Sequence, residues 1–149
     1  MITKEVTVIP AAPEHGQAVY GLLCELEGEG LDREGFFWAY EANLWDENIF
    51  YFLALCEDQP VGFVSLHVQR LLHHLAAVGE IQEIIVAREF RGCGIGQALF
   101  QKAREAAVER NCVQLEVCCR RTRTQSHAFY EKMGMENTHV KFCQTLSKK

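Results

Sequence analysis

The chain has 149 residues, 48% of them hydrophobic and 23% charged, with a formal net charge of -5. That size and balance fit one folded domain with a sizeable core. The acidic surplus excludes a general nucleic-acid or membrane-surface binder, which needs a basic face. No apolar run approaches the roughly 20 residues that span a bilayer. The opening "MITKEVTVIP" lacks the apolar core and cleavage site of a signal peptide, so a cytoplasmic location is expected.

In chain order, "EVTVIP" predicts a first strand closed by Pro10. "PEHGQAVYGLLCELEG" predicts a helix with Ala18, Leu22, Leu23 and Leu26 on one face. "DREGFFWAYEANLW" predicts a second helix, with Asp32 as its N-cap. "IFYFLALCED" and "PVGFVSLHVQRLL" predict two strands joined by a turn at "DQP", and "GEIQEIIVA" predicts another. A glycine-rich stretch follows, then the helix "GQALFQKAREAAVERN", with Leu99, Ala103, Ala106 and Ala107 on one face and Asn111 to end it. "CVQLEVCC" predicts a strand, "TQSHAFYEKMG" a short helix ended by Gly134, and "ENTHVKFCQTL" a closing strand or broken pair. The order β-α-α-β-β-β-α-β-α-β is that of an α/β fold with mixed strand directions and helices on both faces. Seven cysteines (Cys24, Cys56, Cys93, Cys112, Cys118, Cys119 and Cys143) form no CxxC pair. They are expected as reduced thiols, most of them filling core space, and not as a zinc cluster.

The glycine stretch "EFRGCGIG" leaves a strand and opens a helix. Amides at a helix N-terminus are unpaired and carry partial positive charge. Glycines let backbone approach an anion, and Arg91 can add a charged donor. The loop therefore suits a pyrophosphate. It is not a Walker A loop, because no GK[ST] follows, nor a GxGxxG fingerprint, because the third glycine falls at Gln97 or Leu99.

The pattern Arg91-x-x-Gly94-x-Gly96 resembles the signature of the GCN5-related N-acetyltransferases, the GNAT superfamily. "EIQEIIVAREFRGCGIG" resembles that family's fourth strand and pyrophosphate loop, and "AFYEKMGM" its late tyrosine helix. The resemblance implies one N-acetyltransferase domain over residues 1–149. It also implies a mixed central sheet splayed at the fourth and fifth strands, and acetyl-CoA as the donor. Ile84, Ile85 and Val86 would pair with the pantetheine; Arg91, Gly92, Cys93, Gly94, Ile95 and Gly96 would hold the pyrophosphate. "AVYGLLCELEGEG", "YEANLWDEN", "LHVQRLLHH" and "GEIQEIIV" resemble the aminoalkylphosphonate N-acetyltransferases more narrowly. That implies a small primary amine as acceptor, most of all an aminoalkylphosphonate. An aminoglycoside, a polyamine or a protein amine is the alternative, and a non-catalytic acetyl-CoA-binding regulator is the alternative of another class.

Acetyl transfer to an amine needs a base for the ammonium, a polarised carbonyl and an acid for the leaving thiolate. Glu80 is the candidate base, at a position where the superfamily often places a carboxylate. Glu83 is its competitor, since strand alternation would set the two on opposite faces. Tyr130 is the candidate acid by its place in "FYEKMG". A phenol stays protonated at neutral pH. Arg123 stands where the family often has an asparagine, and with His67, His73 and His74 it is a candidate contact for the acceptor. The narrower resemblance also implies a divalent metal, for which the histidines are the candidates. Exposed strand edges allow a homodimer.

Overall fold

A computed structural model describes residues 5–147. They fall into two compact units, one ending at Val117 and the other beginning at Cys118. The first holds a five-stranded sheet in the order β1-β2-β3-β4-β5: β1 (Val6–Pro10), β2 (Ile49–Cys56), β3 (Gln59–Leu71), β4 (Ala76–Val86) and β5 (Gln114–Val117). Its helices are α1 (Gly16–Glu27), α2 (Arg33–Leu44) and α3 (Ile95–Glu109). The first three pairings are antiparallel and β4–β5 is parallel.

The predicted elements from β1 to α4 form where the sequence places them. Asp32 caps α2 by accepting from the Gly35 amide at 2.9 Å. Asn111, at φ 60, supplies the left-handed residue just past α3. The β2–β3 turn is made by Glu57 and Asp58, both at positive φ, one residue earlier than "DQP".

Helices cover both faces. Leu99, Ala103, Ala106 and Ala107 of α3 are all buried. This helix lies so close to β3 that a Cβ on Gly62 would stand 2.9 Å from Leu99 and 3.2 Å from Ile95. On the opposite face, Val19 and Leu22 of α1 and Tyr40 of α2 pack with Leu53, Phe63 and Ile85. The α1 stripe is centred on Gly16, Val19 and Leu22, with Leu23 and Leu26 only partly buried at its edge. The expected set missed Val19 because it followed the leucines.

In register, Val78 of β4 faces Gln114 and Ile81 faces Val117, where β5 stops. β4 runs on to Val86, so residues 82–86 have no β5 partner in register. This is the expected splay.

The second unit contains α4 (Thr124–Lys132). Gly134, at φ 91, follows it, and the Met135 amide returns to the Tyr130 carbonyl at 3.0 Å, a left-handed helix stop. The expected closing strand is absent: residues 136–147 are irregular and exposed. The alternation of "HVKFCQTL" needs a partner edge to become a strand. Nor do most cysteines fill the core: all seven are free thiols, Cys56 alone is buried, and Cys93, Cys118 and Cys143 are exposed.

The closeness of α3 gives a test. Gly62→Ala should lower stability by about 1–3 kcal/mol, read from the urea midpoint, because the Ile85 carbonyl at 3.1 Å cannot retreat as a side chain can. An unchanged midpoint would contradict this packing.

Candidate active site

The site is built on β4. Between Ser65 and Leu66 the β3–β4 register slips: Leu66 faces Ile81 but Ser65 faces Glu83. Gln82 is the extra residue, a β-bulge. His67 faces Glu80, and side chains two apart on β3 share a face. Glu80 and Glu83 therefore emerge on one face, not on opposite faces as uninterrupted alternation would have them. Glu80 accepts from the Gln82 amide group at 2.9 Å. It lies inside β4, which begins at Ala76.

The fully buried Ser65 fixes the bulge. Its Oγ accepts from the Glu83 backbone amide at 2.9 Å, and its hydroxyl donates to Glu83 Oε1. Glu83 and His67 line a cavity of about 240 Å³, smaller than the roughly 300–1,000 Å³ typical of sites for drug-sized ligands. Its wall is aromatic. Tyr40 stacks on Tyr51 with ring centroids 5.6 Å apart, and Tyr51 meets Phe63 edge-on at 5.3 Å. Asn43 donates to the Tyr51 hydroxyl at 2.7 Å, and Tyr40 donates to the Ala12 carbonyl at 2.7 Å. Burial pushes the Tyr51 phenol up; the Asn43 bond opposes this and the Glu83 charge adds to it. Burial, then Tyr51 and Glu14, push Tyr40 to about 12.

The glycine loop follows β4 in the same unit. Gly92 at φ 79 and Gly94 at φ 84 take left-handed conformations that other residues adopt only with strain, and Gly94 is the N-cap of α3. The Ala98 amide donates back to Gly94 at 3.1 Å; the preceding first-turn amides have no partner in a helix. Arg91 donates through Nε to the Val86 carbonyl at 3.2 Å, which ties the loop to the end of β4. Cys93 is exposed, Ile95 is buried under the helix, and Gly96 lies in its first turn. Ile84, Ile85 and Val86 lie on the stretch of β4 beyond the reach of β5.

His73 and His74 sit in the turn after β3, their rings 4.4 Å apart. Among the described residues no three His, Cys, Asp or Glu side chains come together as a metal site, so the expected divalent metal lacks a ligand set there. Arg123 and Tyr130 belong to the second unit, Arg123 as N-cap of α4. Burial, then the Cys119 charge, raise the Tyr130 phenol to about 12 against a lowering by Arg123. Its proton is thus held firmly at neutral pH.

Sequence reasoning missed Ser65, Tyr51, Phe63 and Asn43. For Ser65 there was a signal: it is the one hydroxyl inside "VGFVSLHV", a run too apolar to leave a polar group unpaired.

The acetyltransferase (GNAT) family model matches residues 17–135. An aminoalkylphosphonate N-acetyltransferase from Salmonella typhimurium is 38% identical over 136 residues, 91% of this chain and 88% of that protein. Among solved structures, a transcriptional regulator from Bacillus halodurans superposes with a TM-score of 0.88 at 21% identity, covering 95% of this chain and 100% of the other. An aminoglycoside N-acetyltransferase in complex with CoA superposes with a TM-score of 0.86 at 18% identity, covering 97% of each. At those identities the two structures share the fold with this chain. No helix among the described residues is long and apolar enough to cross a membrane.

The raised phenols set the alkaline behaviour. A tyrosine of ordinary pKa 10 that titrates at about 12 when folded contributes stability that is full below pH 10 and lost as pH rises towards 12. In a tyrosinate absorbance titration, Tyr40→Phe and Tyr130→Phe should each remove amplitude near pH 12. Amplitude lost near pH 10 would contradict the burial described.

Proposed function

The chain belongs to the acetyltransferase (GNAT) family and is an N-acetyltransferase; on that premise we propose that it transfers the acetyl group of acetyl-CoA to a small primary amine, an aminoalkylphosphonate. The observation that carries the donor is the stretch of β4 left without a β5 partner, running into the turn of Gly92 and Gly94 at the start of α3. An extended pantetheine can add to that edge as a strand would, beside Ile84, Ile85 and Val86. The pyrophosphate then meets the amides of the loop from Arg91 to Gly96. The acceptor rests on the Salmonella relative. The family match crosses the boundary between the two units, which supports reading residues 1–149 as one domain.

In the proposed reaction Glu80, directly or through a water, takes a proton from the ammonium. The free amine attacks the thioester carbonyl, whose oxygen is met by a backbone N–H near Ile84. The C–S bond breaks, and the Tyr130 hydroxyl protonates the departing thiolate, giving the N-acetyl product and CoA. The role of Tyr130 rests on its place in "FYEKMG" and on a phenol that stays protonated. His67 in the cavity is the nearest support for an acceptor oxyanion; His73, His74 and Arg123 are further candidates for it. No step is routed through a metal.

A second reading has its own support. The described lining of the cavity holds Glu83 and neither lysine nor arginine, which suits a cationic acceptor such as a polyamine or the amine arm of an aminoglycoside. The location proposed is cytoplasmic. A homodimer, read by light scattering, is the proposed assembly.

CoA release should be screened across aminoalkylphosphonates, polyamines and aminoglycosides, with and without divalent metal. Turnover with aminoalkylphosphonates is expected, and turnover confined to polycations would replace the acceptor. Tyr130→Phe should lower kcat about 100-fold or more with little change in acetyl-CoA affinity; undiminished turnover would remove the acid. Glu80→Gln should flatten the rise of kcat/KM with pH, and an unaltered profile would move the base elsewhere.

A further inference from the structure

Glu83 sits in an arrangement that its role as a rival base does not explain. Its backbone amide and its carboxylate both bond to one hydroxyl, the Oγ of the fully buried Ser65. Such a two-point hold fixes a side chain that would otherwise sample several rotamers. It also points the serine proton at Oε1, since the acceptor side of Oγ already takes the amide. Glu83 lines the aromatic cavity together with Tyr51 and Phe63, and its charge acts on Tyr51. A carboxylate beside aromatic side chains, in a small cavity, matches an ammonium on a short alkyl chain. The carboxylate supplies a charge-assisted bond and the rings attract the cation through their faces.

We propose that Glu83, held in place by Ser65 at the bulge of β4, is the anchor for the acceptor's ammonium group, and that Ser65 is its positioning residue. This deepens the acetyl-transfer reading and rests on it for the identity of the cavity as the acceptor's. It separates two tasks on one face of the sheet: Glu83 binds the cation and Glu80 takes its proton. What the anchor recognises is a primary ammonium, whether or not the acceptor carries a phosphonate.

The test uses the full chain with CoA present and three probes: 2-aminoethylphosphonate, propylamine, and ethylphosphonate, which lacks the amine. Calorimetric titration should show Glu83→Gln weakening both amines about 10- to 100-fold and ethylphosphonate less than about twofold. Ser65→Ala should weaken the amines about tenfold in the native background and not further in the Glu83→Gln background; a merely structural serine would cost the same in both. If the alanine variant does not fold, Ser65→Cys, similar in size but with a weaker donor and acceptor, stands in with the same expected loss and the same double-variant comparison. With any amine that turns over, Glu83→Gln should raise the acceptor KM more than it lowers kcat. Equal weakening of ethylphosphonate, or a fall in kcat with unchanged amine affinity, overturns the anchor while leaving the acetyltransferase reading intact. Propylamine binding that depends on Glu83, without phosphonate turnover, supports the anchor and removes the phosphonate acceptor. Failure of both amines to bind overturns the anchor together with the small-amine acceptor.

Discussion

One extra residue in one strand organises the site. Opposite Ser65, β4 carries Gln82 as a bulge, and the parity of the strand changes there. Before it, Glu80 shares a face with His67. After it, Glu83 and Ile85 take that face, with Ile85 in the core beside Phe63. Were Gln82 drawn into the ladder as an ordinary strand residue, Ile85 and Glu83 would turn towards α3. The buried hydroxyl of Ser65 stabilises the irregularity by meeting both the amide and the carboxylate of Glu83, so that neither is left unpaired in the interior.

The rest of the first unit supports that strand from both sides. α3 can approach because Gly62 and Gly79 have no side chains where Leu99 and Ala107 pass. On the other face, the stacked rings of Phe36, Tyr40 and Tyr51 run from α2 onto the sheet, forming a stiff wall for the cavity. α1 is linked to the segment before the glycine loop as well, since the Arg88 amide donates to Glu25 at 2.7 Å.

Much of this was legible from the sequence because the signals are local. Runs rich in aromatic and β-branched residues marked β2 and β3, Asp32 marked the start of α2, Asn111 and Gly134 marked helix ends, and the glycine spacing gave the loop. The closing strand was misread because alternation is only half of a strand's specification; the other half is a neighbouring edge. The faces of Glu80 and Glu83 were misread because alternation was assumed to be continuous. The sequence held the contrary signal: in "EIQEI" both polar and apolar residues recur at a spacing of three, which an unbroken strand with one buried face does not produce. Phe63, Tyr51 and Asn43 come from different elements, and only the pairing of β2 with β3 and the packing of α2 bring them to one cavity.

The bulge also makes β4 two half-strands that answer to different neighbours. The part up to Ile81 is held between β3 and β5. The part from Glu83 to Val86 is held by β3 and by the core under α1 and α2, with Arg91 fastened to its last carbonyl. A change of hairpin length between Leu71 and Ala76 is absorbed at the turn. Deletion of Gln82 would join Ile81 to Glu83 in plain alternation, so Glu80, Glu83 and Ile85 would keep their face and only the local bend of the bulge would be lost. The insertion is thus a hinge in the sequence's grammar: on either side substitutions can be read independently, and the extra residue between them sits outside the alternation of both halves.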